Sequence, residues 1–163
     1  VDYIAMPCIT AHYFHDAIAD SVFVPVSNGV KEAAWYLHER GIKNVGIMAT
    51  DGTAQMHLFD SVFKDYDIKC IYPSTECQKL VMSIIYDDVK AGRRVAMKEF
   101  ELIKAELIEA GADVIILGCT ELSIVKRDHN VGDKVLDILD VLAADCVKKC
   151  ASLRSEYEEL ITK

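Results

Sequence analysis

Short apolar runs alternate with longer amphipathic stretches along almost the whole chain. The runs have the length and β-branched content of buried strands, and we predict strands at 3–7, 22–26, 45–49, 68–72, 114–117 and 134–136. The stretches between them have helical spacing, and we predict helices at 10–19, 30–39, from Thr53 to about 65, and at 77–90, 95–109 and 138–157. Cys119 opens a short turn. Strands that alternate with helices in this way are typical of βαβ units, so the predicted fold class is α/β with a parallel sheet.

Composition narrows the class of protein. The chain has 163 residues, of which 52% are apolar, enough to build a folded core. The formal net charge of −8 disfavours a nucleic-acid partner, because phosphate contacts require a basic face. No apolar run reaches the roughly 20 residues of a membrane helix. We therefore predict partners that are neither nucleic acid nor membrane.

We interpret the six cysteines as reduced thiols. No secretory leader and no CxxC pair is visible, so we predict a cytoplasmic protein without disulfides. Cys146 and Cys150 lie one helical turn apart, but no further cysteine or histidine joins them in a metal-binding pattern. We expect neither a metal nor a cofactor.

Three polar junctions follow predicted strands, at 7–12, 49–53 and 118–122. Parallel sheets bind ligands at the carboxyl ends of their strands, so these junctions are the candidate site. Cys8 and Cys119 each lie between a strand and a helix start, where the helix dipole is expected to lower a thiol pKa from about 8.5. Thr10 is expected near an N-cap. Two such thiols suit proton transfer at one carbon from opposite faces, which is racemisation or epimerisation.

The same residues resemble the aspartate/glutamate racemase superfamily. Pro7–His12 is similar to its PCNTAH motif, and Gly118–Leu122 to its GCTEL motif. Ala49–Thr53 resembles its ATxGT motif, Ile85–Gly92 its IYxxIKxG stretch, and Val135–Asp137 its short strand that ends in aspartate. The order and spacing match over the whole chain, and Glu after the second Cys-Thr resembles the aspartate and broad-specificity branch.

The resemblance implies an amino-acid racemase that uses no cofactor and acts on a small-molecule amino acid. It implies two similar α/β lobes with the active site in the cleft between them, and a homodimer. Residues 1–25 and 139–163 would be the remainder of lobe one, and 26–138 would form lobe two. The chain begins at Val1 directly before an apolar run, and we expect the first part of lobe one, with its glycine-rich loop, to lie upstream.

The resemblance also assigns roles. Cys8 and Cys119 would be the acid–base pair. The residues that would bind the substrate are Thr10, Thr50, Gly52, Thr53, Thr120 and Glu121, mostly at the α-carboxylate, and Lys90 at a side-chain carboxylate. Other interpretations stay open, since threonines at such positions also serve as N-caps and a lysine before a helix-ending glycine is common. His12 is the last residue of the PCNTAH-like motif, and its role is either packing in the interior or support of the residues that contact the substrate.

The sequence departs from the family pattern at several polar positions. Ile9 replaces an asparagine, Met56 and Phe59 replace a serine and a tyrosine, and Ile138 replaces another serine. Because apolar walls desolvate a carboxylate without compensation, we expect a substrate less acidic or more apolar than aspartate. Three alternatives stay open: a related isomerase, a hydantoin-type racemase, and a catalytically silent homologue that binds a small acid.

Overall fold

Four parallel strands form the centre of the molecule in a computed structural model that describes residues 1–163. The strands are β1 Asn44–Met48, β2 Lys69–Ile71, β3 Val114–Leu117 and β4 Val135–Asp137. They lie side by side in the order β2-β1-β3-β4, and every pair is parallel. The prediction of an α/β fold with a parallel sheet is confirmed.

Eight α-helices surround the sheet. They are α1 His15–Asp20, α2 Gly29–His38, α3 Asp51–Gln55, α4 Leu58–Phe63, α5 Thr75–Ser83, α6 Met97–Glu109, α7 Thr120–Asp128 and α8 Ile138–Cys150. Short 3-10 turns cover Thr10–Phe14, Lys64–Tyr66 and Ser155–Tyr157, and α5 continues as a π-helical stretch over Ile84–Val89. None of these helices is long and apolar enough to cross a membrane.

The sheet is buried on both faces, as parallel sheets require. Side chains alternate along a strand, so that in β3 Ile116 packs on one side and Ile115 on the other. One core lies against α2, α4 and α8 and contains Leu37 and Phe59. The second lies against α5, α6 and α7. The interior strands are therefore the apolar runs that the sequence pattern identifies.

The predicted strands at 3–7 and 22–26 are wrong. The two segments meet only at one isolated parallel bridge, between Ile4 and Val26. Pro25 within the second segment has no N–H to donate to a strand ladder. No further strand lies beside them, and a strand forms only where a neighbour satisfies its backbone groups.

Two predicted helices and one predicted turn also differ from the structure. Helix α8 ends at Cys150, not at 157, since Ala151 is already extended. The chain then turns back, and Ile161 forms an antiparallel bridge to Leu136 of β4. The turn predicted after Cys119 is the nine-residue helix α7, and the helix predicted over 77–90 leaves α-helical geometry at Ile84.

Helix α8 contacts the amino-terminal part of the chain through Asp145. Tyr3 Oη donates to Asp145 Oδ2 at 3.2 Å, and Ser27 Oγ donates to the same oxygen at 2.5 Å. Helix α8 also packs against α2 over much of its length. The assignment of 1–25 and 139–163 to one lobe and of 26–138 to another stays a prediction.

Candidate active site

Cys119 lies at the carboxyl end of β3, at the junction indicated by the sequence. It is the N-cap residue of α7, with an extended backbone. The preceding Gly118 donates its N–H to Met48 O of β1 at 2.8 Å. A Cβ atom on Gly118 would lie 3.1 Å from the ring of Phe59. The glycine thus lets the Cys119 turn rest directly on the core.

The carboxylate of Glu121 accepts hydrogen bonds from the polar side chains of this turn. Cys119 Sγ donates to Glu121 Oε2 at 2.8 Å, and Thr120 Oγ1 donates to the same oxygen at 3.0 Å. Lys90 Nζ lies 3.7 Å from the other oxygen, Oε1. A thiol, a hydroxyl, a carboxylate and an ammonium group therefore form one connected set.

The surroundings keep the Cys119 thiol protonated. Burial, followed by the hydrogen bond to Glu121, raises the pKa of Cys119 to about 12. Burial acts to raise the pKa of Glu121 as well, but the hydrogen bonds that this carboxylate accepts, first of all from Cys119, lower it overall. The expectation that a helix N-terminus lowers the thiol pKa is wrong for Cys119, because burial and a neighbouring carboxylate outweigh the dipole.

Glu121→Gln is expected to speed alkylation of Cys119 by iodoacetamide at pH 8. The amide removes the negative charge and the strong acceptor, so the thiol pKa falls and the thiolate fraction rises about tenfold per unit. Peptide mass spectrometry measures the rate. Cys70 is the internal control, since burial and then Asp60 raise its pKa to about 12 as well. An unchanged ratio of the two rates would contradict the coupling of Cys119 to Glu121.

Three threonine hydroxyls tie the Cys8 turn to the end of β1. Thr10 Oγ1 lies 2.8 Å from Thr53 Oγ1 and 3.3 Å from Thr50 Oγ1, and the latter two are 3.2 Å apart. A Cβ atom on Gly52 would come within 3.8 Å of Thr10 Cγ2. The Cys8 side chain is exposed. The segment that bears Cys8 is thereby held at the carboxyl edge of the sheet.

The threonines divide between two roles. Thr50 is an N-cap, since its hydroxyl accepts from Thr53 N at 3.4 Å. Thr10 is not, because Ile9 occupies the N-cap position of its turn and the Thr10 hydroxyl points to Thr50 and Thr53. Thr53 is fully buried. Its hydroxyl supports the two partly exposed ones.

The predicted site residues fall into two groups on neighbouring strands. The first lies at the end of β1, where the Cys8 turn meets the hydroxyls of Thr50 and Thr53. The second lies at the end of β3, where Lys90 approaches Glu121 beside Cys119. Met48 and Leu117, the last residues of β1 and β3, are paired in the sheet register. Both groups therefore lie at one edge of the sheet. No group of three or more His, Cys, Asp or Glu side chains there or elsewhere could hold a metal ion.

Comparison with known proteins assigns the family. The sequence profile of the Asp/Glu/hydantoin racemase family matches residues 1–146. The chain belongs to this family. It is 29% identical over 129 residues to the broad specificity amino-acid racemase RacX of Bacillus subtilis (strain 168), a match covering 79% of this chain and 56% of that protein.

Solved structures in the same family share the fold. The Picrophilus torridus aspartate racemase superposes with a TM-score of 0.75 at 27% identity, over 96% of this chain and 66% of that one. A putative Asp/Glu racemase from Yersinia pestis gives 0.79 at 21% identity, over 91% and 66%. This racemase-family chain thus spans a little over half of RacX and about two thirds of these structures.

Most of the departures from the racemase pattern are buried. Ile9, Phe59 and Ile138 are at most 2% exposed and pack in the core under α2, α4 and α8. Their side chains do not line the sheet edge, so they do not supply the apolar wall on which the expectation of a less acidic substrate rested. Met56 is the exception and is 42% exposed.

Two further residues belong to the site. Gln78 Nε2 donates to Ala49 O at 3.0 Å and to Asp51 Oδ1 at 2.8 Å, which holds the loop after β1. The Tyr86 ring lies 4.2 Å from Lys90 Nζ in a cation–π contact. Tyr86 precedes Lys90 by four residues in the motif and could have been found by helical spacing. Nothing in the sequence marks Gln78.

Proposed function

We propose that this chain carries the two catalytic cysteines of an amino-acid racemase that needs no cofactor. The observation that carries the proposal is the hydrogen bond from the Cys119 thiol to the Glu121 carboxylate at 2.8 Å. Cys119 lies at the end of β3, and the Cys8 turn contacts the end of the neighbouring strand β1. The activity proposed is that of the natural protein that contains this chain.

The proposed step removes a proton from one face of the α-carbon and adds a proton to the opposite face. Cys8, as thiolate, takes the α-proton, and the electron pair of the broken C–H bond is delocalised into the substrate carboxylate. Cys119 gives its thiol proton to the opposite face and becomes the thiolate. In the reverse direction the roles exchange: the Cys119 thiolate takes the α-proton, and the Cys8 thiol gives its proton to the opposite face.

The α-carboxylate is proposed to bind at the threonine hydroxyls. Thr10 and Thr50 are partly exposed at the sheet edge, with the backbone around Gly52 beside them, and Thr120 offers a third hydroxyl beside Cys119. Thr53 holds the first two from behind. Hydroxyls and N–H groups fixed in this way stabilise the charge that grows on the carboxylate as the α-proton leaves.

Lys90 is proposed to recognise a side-chain carboxylate, which gives an aspartate-like or broader substrate range. Lys90→Met is expected to lower kcat/KM for aspartate about tenfold or more, equal to about 1.4 kcal/mol. The loss for alanine should stay within about threefold, because alanine has no carboxylate to pair. Lys79→Met is the control, since Lys79 is exposed and pairs with Glu76. Equal losses for both substrates would contradict the assignment.

Hydantoin racemases belong to the same family, and a 5-substituted hydantoin belongs in the substrate panel for that reason. A silent acid-binding homologue would bind an amino acid without exchanging its α-hydrogen.

We also propose that the site lies in a cleft between two lobes and that the natural protein is a homodimer. Sedimentation equilibrium measures the oligomeric state, and a monomer would contradict the proposed homodimer.

A further inference from the structure

His12 connects the Cys8 turn to the start of helix α2. The side chain is only 4% exposed. Its Nδ1 lies 3.1 Å from the backbone oxygen of Cys8, and its Nε2 lies 3.0 Å from the backbone nitrogen of Gly29. Both ring nitrogens therefore have a partner inside the protein.

These partners fix the tautomer. The Cys8 carbonyl can only accept a hydrogen bond, so Nδ1 carries the proton and donates it. The Gly29 amide can only donate, so Nε2 must present its lone pair. A doubly protonated ring would set an Nε2–H against the Gly29 N–H. The geometry is satisfied only by the neutral Nδ1–H form.

The surroundings favour this neutral form. Burial lowers the pKa of His12. The charged and titratable groups around the ring are His15, whose ring centroid is 6.3 Å away, and three residues that line the same small cavity: Tyr13, Asp16 and Lys31. No carboxylate bonds to either ring nitrogen, so nothing there favours a second proton.

The bond from His12 acts on the backbone of Cys8. The Cys8 carbonyl also accepts from Ala11 N at 3.2 Å, and His12 N donates to Ile9 O at 2.9 Å. Ile9 anchors the turn in the core, the Thr10 hydroxyl ties it to Thr50 and Thr53, and the Cys8 side chain is exposed. The imidazole is thus the link that fixes the Cys8 peptide to α2.

We propose that His12 is a positioning residue for Cys8, acting through its Nδ1–H bond to the Cys8 carbonyl. The catalytic half of this inference rests on the proposed function of Cys8. A displacement of about 1 Å can reduce proton transfer about a hundredfold, so a turn freed from this bond should lose turnover while substrate binding changes little.

Two isosteric variants separate the two bonds. In His12→Asn the side-chain amide nitrogen can take the place of Nδ1 and keep the bond to Cys8. In His12→Gln the amide oxygen can take the place of Nε2 and keep only the bond from Gly29. Each variant loses one buried hydrogen bond, so the midpoint of urea denaturation should fall by a similar amount in both.

The variants should differ in the Cys8 turn. In the natural full-length protein, His12→Gln is expected to speed amide hydrogen exchange at Ala11 and His12 about tenfold or more. It should lower kcat about tenfold or more with KM within about twofold. His12→Asn should stay within about threefold of the wild type in both quantities. On the wild type, long-range ¹H–¹⁵N spectra should show a protonated Nδ1 and an unprotonated Nε2 at pH 7.

Three results would overturn the inference, and they have different meanings. Equal exchange and equal kcat in the two variants would reduce His12 to a packed residue, with the racemase function intact. An Nε2–H tautomer in the wild type would overturn the geometry even if neither variant folds. A folded wild type without racemase activity would overturn the proposed function and the catalytic half of this inference together, while the amide exchange would still report whether His12 anchors the turn.

Discussion

Cys8→Ser and Cys119→Ser should each lower kcat for racemisation by about three orders of magnitude. A positioned acid or base contributes about 10²–10⁴-fold, and a serine hydroxyl is too weak an acid to replace a thiol at neutral pH. Each substitution removes the group on one face of the α-carbon, so neither direction of the reaction survives. The measurement is a circular dichroism or coupled assay of enantiomer conversion with the full-length protein.

The chain supplies matched controls for both cysteines. Cys150 is exposed like Cys8, and Cys70 is half-buried like Cys119 with a similarly raised pKa. Cys150→Ser and Cys70→Ser should keep kcat within about threefold of the wild type, and serine at Cys77 or Cys146 should cause no comparable loss. Activity near the wild-type level in either catalytic variant would exclude the two-base mechanism.

Phe59→Ala should cause the largest loss of stability, about 3–5 kcal/mol in the free energy of unfolding. The ring is fully buried, packs edge-to-face on Phe63 at 5.5 Å between centroids, and lies under Gly118. Its removal leaves a cavity beneath the Cys119 turn. Urea denaturation with linear extrapolation measures the loss.

The control is Phe14→Ala, at a position that is 58% exposed, which should cost less than about 0.5 kcal/mol. A loss below about 1 kcal/mol for Phe59→Ala would show that this core is misplaced.

The interior of the fold could be predicted from the sequence because burial leaves a local pattern. Val114–Leu117 is apolar throughout, and the strand lies buried between two helical layers. The segments at 3–7 and 22–26 show a similar pattern but form only one bridge. Whether an apolar segment becomes a strand depends on a neighbouring strand, and that neighbour is not encoded in the segment itself.

The chemistry of the site was less accessible to sequence reasoning. The motifs give the residues at both junctions, but the Thr10 hydroxyl contacts Thr50 and Thr53, about forty residues away. The rule that helix N-termini lower thiol pKa values fails at Cys119 because the thiol is buried and because Glu121 brings a carboxylate to the sulfur. Ile9 likewise occupies a motif position, yet its side chain turns into the core. Local sequence specifies residue type, and tertiary contacts decide the partner.

Isotope exchange at the α-carbon tests the two-base racemase most directly. The full-length protein is incubated in D₂O with aspartate and a panel of neutral amino acids, and NMR follows the α-hydrogen of each enantiomer at low conversion. Because the proton removed by one cysteine is not the one delivered by the other, the product enantiomer should carry deuterium while the unreacted substrate keeps its hydrogen. A product that retains the original hydrogen, or a folded protein that exchanges no α-hydrogen, would contradict the account.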